Sequence, residues 1–241
     1  MQIFQTYLEN ILRGERRACR EIVTQAIETG VQPLTIIQEL IWPAMETIDR
    51  LFRDDQINTA TEHMATRINR FLADQLQAYL PRTPANGRRV LIVCADDEPE
   101  ELGAQMCADL FESEGWDVYF AGGGVPHDET LMLVGRLRPD LLLIFGSKPS
   151  DAPRCRELVR TIREVNANPT MNVMVSGGVF NRADGLWREV QADLFAPTAG
   201  DALELARDMA PRVGTVSAAP SGKKRRRRRR PPLLEQAMAT A

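Results

Sequence analysis

A change of hydrophobic period near residue 81 constrains this chain more than any other feature. Before it, Pro and Gly are sparse and apolar residues recur at helical spacing, as in Ile3, Tyr7, Leu8, Ile11 and Leu12. The spacing predicts helices near 2–13, 15–29, 33–53 and 58–79. Gly30 ends the second, Pro33 sits in a tolerant first turn, and Thr59 with Glu62 reads as a capping box for the fourth. Loops this short make antiparallel neighbours, so residues 1–80 are expected to form a four-helix bundle. The stretch PRTPANG over 81–87 then breaks the pattern as a linker. Beyond it, short apolar runs at 90–95, 117–121, 140–145 and 172–176 alternate with amphipathic stretches of helical length. A short strand near 193–196 and a helix near 200–210 complete the series. Such alternation predicts an α/β fold over 88–212, a doubly wound parallel sheet of flavodoxin-like type. Ligands of such sheets bind at the carboxyl ends of the strands, which directs attention to the loops after residues 95, 121, 145 and 176.

Composition narrows the function classes. The longest apolar runs, such as 141–145, fall far short of the ~20 residues of a membrane-spanning helix, and no charged-then-apolar leader opens the chain, so a cytoplasmic protein without a membrane span is expected. Cys19, Cys94, Cys107 and Cys155 stand singly at wide spacing, which fits reduced, buried thiols better than a zinc site or a disulfide framework. The net charge of −3 divides unevenly: residues 216–241 carry +7, leaving −10 on the rest. Residues 213–241 read as a disordered tail containing KKRRRRRR, Lys223 to Arg230, which offers non-specific contact with nucleic acid phosphates. No interleaved aromatic or helix-turn-helix signature supports reading of base sequence, and no HExxH, P-loop or nucleophile-base-acid set suggests a hydrolase.

The loop after the first expected strand, Asp96-Asp97-Glu98-Pro99-Glu100-Glu101-Leu102-Gly103, places five carboxylates in six residues before a helix. Taken alone this is helix capping, because negative charge is favoured at a helix N-terminus. Further on come Gly115-Trp116-Asp117-Val118, then Gly122-Gly123-Gly124-Val125-Pro126, Phe145-Gly146-Ser147, and Gly177-Gly178. In the helical half stand Pro43-Ala44-Met45, Phe52 and Glu62-His63.

In this order the motifs resemble the cobalamin-binding domains of methionine synthase, corrinoid methyltransferase proteins and CarH/AerR-type cobalamin-dependent regulators. The resemblance covers roughly residues 1–212. It implies a helical cap over a flavodoxin-like domain and a cofactor, adenosylcobalamin or methylcobalamin. Its D-x-H-x-x-G motif falls on Glu98 to Gly103, with Glu100 where the lower cobalt-ligating histidine belongs. Carboxylate suits harder ions than imidazole does. Cobalamin with water or its own base below cobalt, another ligand, or none all stay open. The resemblance further implies that Gly122, Val125, Pro126, Ser147, Gly177 and Gly178 approach the cofactor from the strand tips. Phe52 stands for the family's Trp over the upper face, and Glu62 orients His63 as candidate upper cobalt ligand. Structural roles compete: Phe52 as bundle core, His63 as a satisfied structural histidine. His127, after the second strand, is a further candidate for the lower side.

The function expected from these residues is a cobalamin-binding regulator or sensor, light-responsive through adenosylcobalamin, acting by movement of the bundle against the α/β domain. The alternatives are a corrinoid carrier subunit for methyl transfer and a degenerate interaction module that has lost the cofactor. The expected partner is accordingly a transcription regulator or a methyltransferase.

Overall fold

A computed structural model describes residues 2–95 and 101–213. Helices α1 (Gln2–Leu12), α2 (Arg16–Glu28), α3 (Pro33–Ile36), α4 (Trp42–Arg53) and α5 (Thr59–Gln77) form the helical half. A five-residue π-helical segment, Ile37–Ile41, joins α3 to α4, so the single helix expected over 33–53 is interrupted. Asn69 of α5 ties to this segment: its Nδ2 donates to Ile41 O at 2.9 Å, while its Oδ1 accepts from Tyr7 Oη of α1 at 2.8 Å. Asn69 and Tyr7 are fully buried, so three helical segments are tied by one polar network inside an apolar core. The cap of α5 also departs from expectation. Asn58, not Thr59, is the capping residue, and its side chain accepts from Thr61 N at 2.9 Å. Asn ranks above Thr as a cap, and the chain turns helical one residue earlier than the S/T-x-x-E spacing implied.

The second half is an α/β fold of five parallel strands: β1 (Arg89–Cys94), β2 (Asp117–Gly122), β3 (Leu141–Phe145), β4 (Asn172–Ser176) and β5 (Leu194–Ala196), in the order β2-β1-β3-β4-β5. β3 and β4 are buried at every position, which explains their unbroken apolar sequences, whereas β2 is an edge strand with a largely exposed face. Helices α6 (Leu102–Ser113) and α11 (Ala199–Asp208) cover one face; α7 (His127–Leu137) and α8 (Asp151–Val165) cover the other. Two short helices, α9 (Gly178–Arg182) and α10 (Leu186–Glu189), lie between β4 and β5.

The bundle core runs without a break into the core beneath α6 and α11. Helix α5 packs beside α6 and runs in the same direction, as Asp74 meets Gln105 and Gln77 meets Glu112. Eleven residues separate His63 from Asp74, about 16 Å along a helix axis. The first turns of α5 therefore project past the start of α6, over the carboxyl ends of the strands.

Candidate functional site at the strand tips

The strand order reverses between β1 and β3, so the loops leaving these two strands part to opposite sides and open a crevice. Around it the loops after β1, β2, β3 and β4 converge, each held by specific bonds. Glu101 begins the described part of the β1 loop and accepts from Gly123 N at 2.6 Å, joining the first loop to the second. A Cβ on Gly122, which has φ +71°, would collide with the same carboxylate. Pro126 caps α7, and Val125 lines a small hollow with Cys94, Ala95 and His127. The β3 loop is pinned by Asp151, a fully buried carboxylate whose Oδ2 accepts from Ser147 N and Lys148 N, both at 2.8 Å. Gly177 has φ +101° and its Cα lies against the Gly146 backbone, where a side chain would collide. The glycines noted in the sequence thus bring the β3 and β4 loops into contact.

The bundle is latched to these loops through α9. Asn181 Nδ2 donates to Glu46 Oε1 of α4 at 3.4 Å and to Pro197 O at 3.0 Å, and the same Glu46 oxygen accepts from Trp42 Nε1 at 3.1 Å. Beside it, Arg182 pairs with Asp49 of α4 at 3.3 Å and donates to Ser147 O. Neither Asn181 nor Arg182 belongs to a recognisable motif; only their position just past Gly177-Gly178 marked the region.

The structure carries some predicted residues to this crevice and leaves others apart. Phe52 lies one turn beyond Asp49 and is 39% exposed, which overturns its reading as bundle core and leaves an accessible ring. Glu62 and His63 lie in the first turns of α5, at the same end of the bundle. His63 Nε2 is 3.5 Å from Glu62 Oε2, and Glu62 Oε1 accepts from Thr66 Oγ1 at 2.9 Å. The imidazole is more than half exposed, so it is held by a carboxylate and open on its other side. Glu98 and Glu100 lie outside the described residues, as does the basic run from Lys223 to Arg230.

Ser147 lies after the third strand, in the loop two residues past the end of β3. At the strand end proper, facing α6, stands Phe145, which pairs in register with Ser176 of β4. The Phe145 ring fills the space over Gly103 so closely that any Cβ there would overlap it, and meets Trp42 edge-on at a centroid distance of 6.4 Å. Ser176 Oγ, buried beside it, is a side-chain polar atom without a hydrogen-bond partner. A cavity of about 400 Å³ lies between the π turn and the start of α11, walled by Trp42, Gln38, Thr198 and Arg207 among others. Trp42 and Ser176, which the sequence motifs did not single out, stand here with Phe145.

Burial pushes the Cys155 thiol up to about 12 and Cys19 up to about 11, and raises Cys107 further still; desolvation is the first cause in each. These are structural thiols, as expected. Among the described residues no three His, Cys, Asp or Glu side chains gather into a metal-binding group, and no helix is long and apolar enough to cross a membrane.

Comparison with known proteins matches this architecture on both sides of the linker. Two family profiles, each described as a B12 binding domain, match residues 3–77 and 88–207. Monomethylamine corrinoid protein 1 of Methanosarcina mazei is 20% identical over 211 residues, covering 85% of this chain and 96% of its own. The protein of the same name from Methanosarcina acetivorans is also 20% identical, over 212 residues with the same coverage. Among solved structures, the monomethylamine corrinoid protein of Methanosarcina barkeri superposes with a TM-score of 0.75 at 17% identity, covering 85% of this chain and 97% of that one, a likeness of fold. With a B12-binding profile on the helical half and another on the α/β half, the chain belongs to the B12-binding family.

Proposed function

We propose that the protein is a corrinoid carrier subunit for methyl transfer, holding cobalamin between the overhanging bundle and the strand tips and presenting it to a methyltransferase. The observation that carries this reading is the pairing of a B12-binding helical half with a B12-binding α/β half, in a chain whose relatives over 85% of its length are corrinoid proteins. The crevice suits the cofactor on the corrin side. Glycine-lined loop turns let backbone approach a broad ring edge, Phe52 offers an exposed apolar face, and His63, braced by Glu62, offers a nitrogen donor. Val125, Pro126, Ser147, Gly177 and Gly178 would flank the ring from below. When bound, the cofactor supplies a cobalt centre able to accept and release a methyl group. The chain's own residues position it, and the latch of Asn181 and Arg182 on α4 sets how far the bundle stands from the strand tips.

The sensor reading, with adenosylcobalamin and a light response, shares this site but draws no support from the relatives, whose names are those of corrinoid proteins. Nucleic acid contact through residues 223–230 rests on charge alone. The division into units at 1–80 and 88–212 accords with the change of architecture at the linker. Purification of the full chain with methylcobalamin, followed by gel filtration and assay with a corrinoid-dependent methyltransferase, tests the proposal. Retained corrinoid whose methyl group is turned over supports the carrier; retained adenosylcobalamin that changes spectrum only on illumination supports the sensor; no retained corrinoid removes both.

A further inference from the structure

Three observations meet at the end of β3. The space between Gly103 of α6 and Trp42 of the bundle is one aromatic ring wide, since a single ring touches the glycine on one side and the indole edge on the other. At its sheet-side wall stands Ser176 Oγ, fully buried and unpartnered. Leaving a buried hydroxyl unpaired is unfavourable, and its in-register neighbour on β3, Phe145, has a side chain with neither donor nor acceptor. The slot thus has the dimensions for a flat heteroaromatic group and a hydroxyl to recognise its nitrogen, yet it is filled by the chain's own side chain. Phe145 is also poorly placed to leave. Its carbonyl accepts from Ala95 N at 2.8 Å, its backbone pairs with Cys94 and Ser176, and the residue is 4% exposed.

Cobalamin has two planar parts, a corrin ring and a nucleotide-linked benzimidazole base. We infer that Phe145 acts as a resident plug that keeps the lower base of a bound corrinoid out of the sheet, so that this protein selects its ligand by the corrin ring and not by the base. The inference rests on the corrinoid reading above and makes Phe145 a specificity-determining residue. Its consequence is that corrinoids lacking the base are accepted as readily as complete ones, and that a complete cobalamin stays folded on itself with its base on cobalt.

The test uses the full chain titrated separately with methylcobalamin and with methylcobinamide, which lacks the nucleotide base, each followed by ultraviolet-visible absorbance. The expected result is binding of both with affinities within about threefold, and a bound methylcobalamin spectrum of the base-coordinated form at neutral pH. Phe145→Ser, which empties the slot beside Ser176, is expected to raise the preference for methylcobalamin over methylcobinamide to about tenfold or more and to shift its spectrum to the base-dissociated form. A wild-type preference of tenfold for methylcobalamin, with a base-dissociated spectrum, overturns the plug whether or not the variant folds. A folded Phe145→Ser protein, or the milder Phe145→Leu, that shows no change in preference also overturns it. Binding of neither corrinoid defeats the proposed function itself, an outcome distinct from either.

Discussion

Replacing Asn69 by Leu tests whether the bundle depends on its one deeply buried polar network. Asn69 is fully buried and makes two bonds, donating to Ile41 O and accepting from Tyr7 Oη. Leu conserves the volume closely, so little cavity forms and the cost is electrostatic. The substitution orphans the Tyr7 hydroxyl and takes the side-chain donor away from the Ile41 carbonyl, which keeps its place at the start of α4. An unsatisfied buried hydroxyl costs roughly 1–3 kcal/mol and one lost hydrogen bond roughly 0.5–1.5 kcal/mol, so the total is about 1.5–4.5 kcal/mol. That is a large share of the 5–15 kcal/mol typical of a folded protein. Tyr7→Phe removes one donor and leaves only the Asn69 carbonyl oxygen wanting, at a cost of about 1–2 kcal/mol. In the double variant neither the Tyr7 hydroxyl nor the Asn69 oxygen is there to be orphaned, so the two effects should fall short of additivity by about 2–5 kcal/mol. Urea unfolding followed by circular dichroism, with midpoints compared at constant slope, measures all three. A cost below about 1 kcal/mol for Asn69→Leu, or strict additivity in the double variant, would refute the reasoning, because the network would then be solvated or dispensable.

Burial, with Asp74 and Glu112 adding repulsion, pushes the Asp109 carboxyl up to about 7, at the seam between α5 and α6. The folded chain therefore holds a proton that the unfolded chain has released, and stability should fall as pH rises from about 4 to about 7 and stay low above it. Asp109→Asn should flatten this dependence and stabilise the protein at pH 8 by on the order of 1 kcal/mol, once solvent screening is allowed for; an unchanged pH profile contradicts the assignment. Asp151→Ala removes both acceptor bonds that pin the β3 loop and is expected to cost about 2–4 kcal/mol in thermal or urea unfolding, with Asp151→Asn recovering part of it; a loss within 0.5 kcal/mol would show the loop is held otherwise. With a thiol reagent at pH 8, Cys19, Cys107 and Cys155 should stay unmodified in the folded protein and react on denaturation; rapid native modification of more than one thiol contradicts their burial.

The fold was legible where burial imposes a pattern on sequence. β3 and β4 read as strands because both faces of a central parallel strand are covered, so LLLIF and NVMVS need no polar alternation. The bundle helices read equally well from their period. The π turn did not, since IQELI is as good an α-helical sequence as any, and the bond that ties its end to Asn69 spans 28 positions. At the site, glycines were legible because close backbone approach excludes every side chain, as at Gly103 and Gly177. Hydroxyls were not. Which of Ser147 and Ser176 faces α6 depends on where β3 ends and on the register between β3 and β4, neither of which the sequence states. Phe145 read simply as the last apolar residue of a strand, and its meeting with Gly103 and Trp42 joins three separate elements. The latch residues Asn181 and Arg182 escaped for the same reason: their partners Glu46 and Asp49 are more than 130 positions distant.

Equilibrium dialysis of the full chain against methylcobalamin, with absorbance read on both sides of the membrane, bears most directly on the claim that this crevice holds a corrinoid. One equivalent retained per chain, and lost when Gly177→Val forces the β3 and β4 loops apart in a protein that still melts cooperatively, is the predicted result. Equal absorbance on both sides for the wild-type chain would contradict it.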